Sequence, residues 1–299
     1  MLSDRGHSVR TVSTALVDLD TPVRRRPALS PSRAGDFKQC PLLYRLRAVD
    51  RIDAPSTRAQ LKGTLVHAAL EALYSLPAPQ RVSDRAVALI DEAWRTMLAD
   101  NEFAAAVVPE SDAEKFLGEA RALVTGYYEL EDPTRFEPES CEQHIETELD
   151  NGVVLRGFVD RIDVAPTGQL RVVDYKTGRA PREMSESKAL FQMKFYALVL
   201  LRTRDVVPTQ LRLLYLADGQ ILTYSPDRDE LLRFERTLSA IWKAILEAGR
   251  TGDFRPKTSR LCSWCEHKNL CPEFGGTPPP YPGWPQEPAE DAVFEEPAE

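Results

Sequence analysis

Two aspartates and a lysine carry the clearest chemistry. Asp160 lies in Gly157-Phe158-Val159-Asp160-Arg161-Ile162-Asp163, and Asp174-Tyr175-Lys176 follows beyond Pro166-Thr167-Gly168. Pro-x-Gly suits a three-residue hairpin loop with its glycine in the left-handed conformation. Such a loop pairs Ala165 with Gln169 and sets Asp160 opposite Asp174. Lys176, two residues on, then points to the same face. Like charges facing across a strand pair are destabilising unless something lies between them. A divalent cation is the natural occupant, because carboxylate oxygens suit Mg²⁺ or Mn²⁺. A lysine beside it can orient a nucleophilic water or stabilise charge developing on a phosphoryl group. An exposed hairpin with an ordinary Asp–Lys ion pair would use the same residues.

Three further side chains fall where they could join this group. His67, in Gly63-Thr64-Leu65-Val66-His67, sits on a long helical pattern before the strands; a lone helical histidine is more often packed or at the surface. Gln192 and Tyr196, at i and i+4, share one face of a later helix. Glu146 shares a face with Asp160 if the preceding turn is Asp150-Asn151-Gly152, and faces away if the turn is Asn151-Gly152 alone.

The chain has five cysteines. Cys262-x2-Cys265-x5-Cys271-Pro272 is clustered, Cys40-Pro41 lies far upstream, and Cys141 falls in a predicted strand as a small buried hydrophobe. Three clustered thiols and one remote thiol suit a metal centre, since soft thiolates hold Zn²⁺ or iron–sulfur clusters. By spacing alone zinc is as good a reading as a cluster, and His267 offers zinc a spare ligand.

The elements that must position these residues follow from periodicity. Ser30-Pro31 reads as an N-cap with proline at the first helical position. Helical patterns run over about 31–47, 57–76, 83–100 and 112–130, and Leu61, Leu65, Ala69 and Leu73 form one apolar stripe. Strands are predicted at roughly 141–149, 153–165 and 169–176. A helix follows at about 187–204, then two strands around Asp218-Gly219, and a helix from about 227 to Gly249. The pattern is that of one α/β domain over about 30–272. Residues 1–29 read as a flexible leader, and 273–299 as a disordered, Pro-rich tail.

With 299 residues, 42% hydrophobic and 28% charged, the chain can bury a substantial core, and it is neither collagen-like nor wholly disordered. No apolar run is long enough to span a membrane, and the charged N-terminus lacks the apolar core of a secretory signal, so a cytoplasmic location is expected. The tail holds −7 of the net charge of −8, which leaves a near-neutral body that neither supports nor excludes DNA binding. No G-x-x-x-x-G-K-[ST] motif is present, so any unwinding would need a helicase partner.

Asp160…Asp174-Tyr175-Lys176 resembles the signature of the PD-(D/E)XK nucleases. With His67, Gly157-x-x-Asp160 and Gln192-x-x-x-Tyr196 in that order, the chain is similar to the RecB-type exonuclease branch, which includes CRISPR-associated members. The resemblance runs from about Leu29 to Pro272. It implies a restriction-endonuclease-like core, a central mixed sheet flanked by helices, with an N-terminal helical segment. It also implies that His67, Asp160 and Asp174 bind Mg²⁺ or Mn²⁺, that Lys176 serves hydrolysis, and that Gln192 and Tyr196 position DNA or support the site. Many such nucleases carry one cysteine before the first motif and three at the C-terminus. That pattern implies a 4Fe–4S cluster on Cys40, Cys262, Cys265 and Cys271, acting as a clasp between the chain's ends. The expected function is a metal-dependent DNA exonuclease acting on single strands or ends in repair or recombination. The alternatives are a non-catalytic DNA-end-binding subunit of a helicase–nuclease complex and a CRISPR-adaptation nuclease.

Overall fold

The computed structural model describes residues 27–100, 104–180 and 186–284. Two of its long helices start where capping chemistry directs. In α3 (Arg58–Tyr74) the Thr57 hydroxyl accepts from Gln60 N–H, while the Gln60 side chain accepts from Thr57 N–H. The Leu61, Leu65, Ala69 and Leu73 stripe is buried as its spacing requires. With α4 (Ser83–Asp100), the short α5 (Ala104–Val107) and α6 (Glu110–Leu130), α3 covers one face of the sheet. The other face lies under α7 (Glu186–Arg204) and α8 (Arg228–Thr251), joined by α1 (Pro31–Gln39).

Among the described residues the sheet has six strands: β1 (Ala28–Leu29), β2 (Ser140–Glu148), β3 (Val154–Val164), β4 (Leu170–Lys176), β5 (Gln210–Tyr215) and β6 (Gln220–Tyr224). The β3–β4 hairpin has the register expected from Pro166-Thr167-Gly168. Arg161 pairs with Val173 and Ala165 N–H reaches Gln169 O at 2.9 Å, and Gly168 has φ +81°. The β2–β3 turn is also a three-residue loop, Asp150 to Gly152, because Leu149 N–H bonds Val153 O. β2 occupies one edge of β3 along its length. The opposite edge is shared, with parallel β1 pairing Val154 and Leu155 and antiparallel β4 pairing Arg161 to Val164. Residues 156–160 therefore have no ladder partner on that edge. The sheet carries a gap in its middle.

Four features depart from the sequence expectations. The first predicted helix breaks at Cys40, whose φ of −161° is extended, because the ring of Pro41 excludes the helical region for the residue before it. The chain resumes as α2 (Pro41–Tyr44) and a π-helical turn, Arg45–Val49. Ala28 and Leu29, placed in the leader by lack of periodicity, form β1 and are fully buried. α8 does not stop at Gly249 but runs to Thr251, with Gly252 at φ +73° as the left-handed terminator. The described part of the Pro-rich segment, 273–284, is packed rather than free. Tyr281 donates its hydroxyl to Gly249 O at 2.6 Å, and the Trp284 ring sits 6.3 Å from that of Trp242. The rest of the expected tail, 285–299, and residues 1–26 of the expected leader lie outside the described residues.

Gly249 is thus a packing glycine. A Cβ there would lie 2.3 Å from the Trp284 indole. In a helix interior free of this contact, Gly→Ala stabilises by about 0.5–1 kcal/mol. Here we expect Gly249→Ala to destabilise by about 1–3 kcal/mol in urea unfolding, the usual cost of overpacking. Placing it on Trp284→Ala should restore the helical gain. A more stable Gly249→Ala single variant would contradict the packing of this segment.

Candidate functional site

The gap in β3's edge exposes backbone that Asp160 and Tyr196 occupy. Asp160 Oδ2 accepts from Tyr175 N–H at 2.7 Å, where a carbonyl of β3 would have continued the ladder. Both Val159 and Ile162 enter the α7-side core although they are three residues apart. The strand's alternation therefore slips at Asp160. The Tyr196 ring of α7 fills the space beside Gly157, where a Cβ would come within 2.8 Å of it. That close approach is the physical content of Gly157-x-x-Asp160.

His67 on α3 meets Asp160 from the other side. Its Nε2 lies 2.9 Å from Tyr175 O, an N–H donation that leaves Nδ1 facing Asp160 Oδ2 at 3.5 Å and Glu142 Oε1 at 3.6 Å. Among the described residues, His67, Glu142 and Asp160 are the group whose ligand atoms converge within 4.8 Å of one another. A histidine oriented by donation to a backbone carbonyl, beside two carboxylates, is a metal-ligand arrangement. Glu142 has φ +45°, which is costly for a residue with a Cβ and is found where surrounding structure enforces it.

Asp174 is 1% exposed and Asp160 8%, so the ordinary solvated hairpin does not describe them. Lys176 Nζ pairs with Asp174 Oδ2 at 2.6 Å and donates to Gln192 Oε1 at 3.0 Å. The Gln192 amide donates to Asp174 Oδ1 at 2.9 Å and lies 3.0 Å from the Tyr196 hydroxyl. All six residues expected at the site therefore come together, in two linked groups: His67 with Asp160, and Asp174 with Lys176, Gln192 and Tyr196. Asp174 is held by lysine and glutamine rather than standing in the group around His67. Glu146 shares the three-residue-loop register but stands half-exposed beside His144, four residues or about 13 Å along β2 from Glu142. Glu142 was not anticipated. The signal was available: the same loop register sets residue 142 opposite Asp160, as the flanking pairs Cys141–Arg161 and Gln143–Val159 demonstrate.

Protonation reflects this crowding. Burial, then the charge of Asp174, push the Asp160 carboxyl up to about 7. Burial works against the charged form of His67, but its bond to Glu142 and the Asp160, Asp174 and Glu142 charges outweigh it and push the imidazole up to about 9. A site that holds protons this tightly without a cation is one that a cation would occupy in their place.

The five cysteines are free thiols. Cys40, Cys262, Cys265 and Cys271 line one small cavity of about 30 Å³ walled by Leu42, Leu43 and Leu46. Among the described residues no three of their sulfurs lie within 4.8 Å of one another. His267 lines the same cavity, 3% exposed, and its Nε2 has no hydrogen-bond partner. Cys141 is half-buried in β2, its thiol pushed up to about 11 by burial.

A family model described as the PD-(D/E)XK nuclease superfamily matches residues 28–272. The gene 69 protein of Mycobacterium phage L5 is 31% identical over 130 residues, 42% of this chain and 42% of the phage protein. The match thus spans less than half of that relative's length. The gene 69 protein of Mycobacterium phage D29 is 28% identical over 204 residues, 60% of this chain and 71% of its own. Among solved structures, a candidate exonuclease from Eubacterium rectale superposes with a TM-score of 0.54 at 13% identity. It covers 80% of this chain and 87% of its own, a likeness of fold.

Stability should report the site's protons. A raised histidine contributes stability that is full below its ordinary value and lost as pH rises through about 9. A raised aspartate likewise contributes only while protonated, a contribution lost as pH rises through about 7. In EDTA, the urea midpoint should therefore fall between about pH 6 and pH 9. Added Mn²⁺ should raise it more at the alkaline end, because binding displaces those protons. A flat profile in EDTA would contradict the assigned crowding.

Proposed function

The chain belongs to the PD-(D/E)XK nuclease superfamily, and from that premise we propose that it is a metal-dependent deoxyribonuclease of the RecB exonuclease type. Its substrates would be DNA single strands or ends, in repair or recombination. The observation that carries the reading is the convergence of His67, Glu142 and Asp160 within 4.8 Å, beside the buried Asp174 and its partly exposed partner Lys176.

His67 Nδ1, Glu142 and Asp160 would hold Mg²⁺ or Mn²⁺, with Asp174 adjoining. Such an ion polarises a phosphodiester and lowers the pKa of a bound water. The chain's own residues do the positioning. Tyr175 fixes His67 through its carbonyl and Asp160 through its N–H. Gln192 bridges Asp174 to Lys176 and keeps the ammonium at the site, where it can orient the attacking water or stabilise charge on the phosphoryl oxygens. Retention of Asp160, Asp174 and Lys176 together favours an enzyme over a binding subunit that has lost its chemistry. Among the described residues no helix is long and apolar enough to cross a membrane.

At the second centre, Cys40, Cys262, Cys265 and Cys271 would hold a 4Fe–4S cluster. The gathering of all four thiols on one cavity, with the cysteine pattern of the nucleases the chain resembles, supports this reading. Its role would be structural, joining Cys40 to residues more than two hundred positions later.

Digestion of 5′- and 3′-labelled DNA, single- and double-stranded, tests the activity and gives its polarity. Asp174→Ala and Lys176→Ala should each lose on the order of 10²-fold or more in rate while still folding. Mn²⁺ should support cleavage at least as well as Mg²⁺, since an imidazole ligand favours the softer ion. Wild-type rates from rigorously purified Asp174→Ala protein would sink the assignment. For the cysteines, anaerobically purified protein should be brown with about four irons per chain, and Cys265→Ser should lose colour and stability together. Colourless protein with one zinc would decide for zinc.

A further inference from the structure

The gap in β3's edge opens into a groove of about 1070 Å³. Gln192, which holds Asp174, and Tyr196, which accepts from Gln192, line it, so the groove borders the Asp174 side of the site, while His67 and Glu142 line a separate pocket. Its charge is lopsided: Arg33, Lys38, Arg156 and Lys257 line it against one carboxylate, Asp36, which pairs with Arg47 at 2.6 Å. Burial, with the like charges of Arg156 and Arg51, holds the Arg33 guanidinium below its ordinary range although Tyr44 opposes the shift. Anionic ligands would relieve that crowding.

One aromatic side chain in this groove has no evident structural use. Phe158 is 57% exposed, in a strand whose neighbouring Val159 is fully buried. Its ring rests on its cross-strand partner His144, centroids 5.1 Å apart with planes at 60°. Phe158 is two residues from Asp160, about 7 Å along the strand, on the order of one nucleotide. An exposed ring in edge contact with its cross-strand neighbour, in a cationic groove, is an arrangement on which unpaired bases stack irrespective of sequence. The interior of a duplex cannot use it, because its bases present no free face; only the two terminal pairs of a blunt duplex do, against every base of a single strand.

We propose that Phe158, in contact with His144, is a stacking platform for an unpaired base beside the scissile phosphate, with Arg33, Lys38 and Lys257 contacting the backbone. The proposal deepens the nuclease reading and rests on it for the position of the phosphate. Phe158 thereby selects single strands over duplex. It is a positioning residue, since the hydrolytic groups lie at Asp160, Asp174 and Lys176.

The test is fluorescence anisotropy with the full-length protein in EDTA. The probes are a labelled twenty-nucleotide oligothymidylate and a blunt duplex of equal length. We expect the wild type to favour the single strand and Phe158→Ala to weaken it about tenfold, as loss of one stacked base does, without changing duplex affinity. Phe158→Trp should retain binding, while Phe158→Leu, apolar but without a π-face, should behave like alanine. Unfolding curves of the exposed-site variants should match wild type. Unchanged single-strand affinity in Phe158→Ala, or wild-type affinity in Phe158→Leu, would overturn the platform. Cleavage of the same oligonucleotide by wild type and by Phe158→Ala in Mn²⁺ is scored separately. Cleavage indifferent to Phe158 removes the platform and keeps the nuclease, whereas Phe158-dependent binding with no cleavage does the reverse.

Discussion

A guanidinium with no access to water lies beneath the site, and much of the site's geometry depends on it. The Arg161 side chain is fully buried. Its Nη2 meets Glu131 at 2.7 Å and its Nε lies 3.0 Å from Asp163, while Nη1 donates to the hydroxyls of Tyr175, Tyr74 and Tyr127. A buried charge is tolerable only when its donors are met in this way, and removing a partner typically costs about 3–5 kcal/mol. The constraint reaches the chemistry through sequence adjacency. Arg161 follows Asp160 and Tyr175 follows Asp174, so the hydroxyl that satisfies the arginine also fixes the backbone between the two carboxylates. Tyr175 then acts three ways: its hydroxyl serves Arg161, its N–H binds Asp160 and its carbonyl orients His67.

The second constraint is the shared edge of β3. A strand paired along its whole length would leave no room for a side chain to turn into its ladder. Here β1 and β4 each take one end, and the five residues between them provide Gly157 for Tyr196, the exposed ring of Phe158 and the carboxylate of Asp160. Fold and site are thus the same feature seen at two scales: the unpaired stretch of β3 carries the Asp160 carboxylate and also supplies Gly157 and Phe158 to the lining of the cationic groove. The crowding of carboxylates around His67 is destabilising on its own, which is the usual condition of a site built for a ligand it must hold.

The local part of this was legible in the sequence. Pro166-Thr167-Gly168 fixed the hairpin register over Arg161 to Val164, because turn geometry and the two-residue period determine register without reference to the rest of the chain; at Asp160 the ladder ends, and its carboxylate accepts from Tyr175 N–H instead. The distant members were not derivable that way. His67 and Gln192 reach the site through helix packing, and the resemblance to nucleases, not their spacing, singled them out. Glu142, like Glu146, comes onto the face of Asp160 only with a three-residue turn, and the sequence leaves that turn open between two residues and three; the structure closes it as Asp150 to Gly152. Residues 273–284 misled by composition. Prolines there signal a chain without helix or strand, but Tyr281 and Trp284 supply the apolar surface that packs it on α8. Cys40 stands apart from its helix for a local reason, the proline after it.

The central claim, that His67, Glu142 and Asp160 form a cation site, is tested most directly by soaking crystals of the full chain in Mn²⁺ and measuring anomalous scattering at the manganese edge. The account predicts one strong peak at coordinating distance from His67 Nδ1 and from carboxylate oxygens of Glu142 and Asp160, and its loss in His67→Ala. No peak at these residues, or the same peak in His67→Ala crystals, would contradict it.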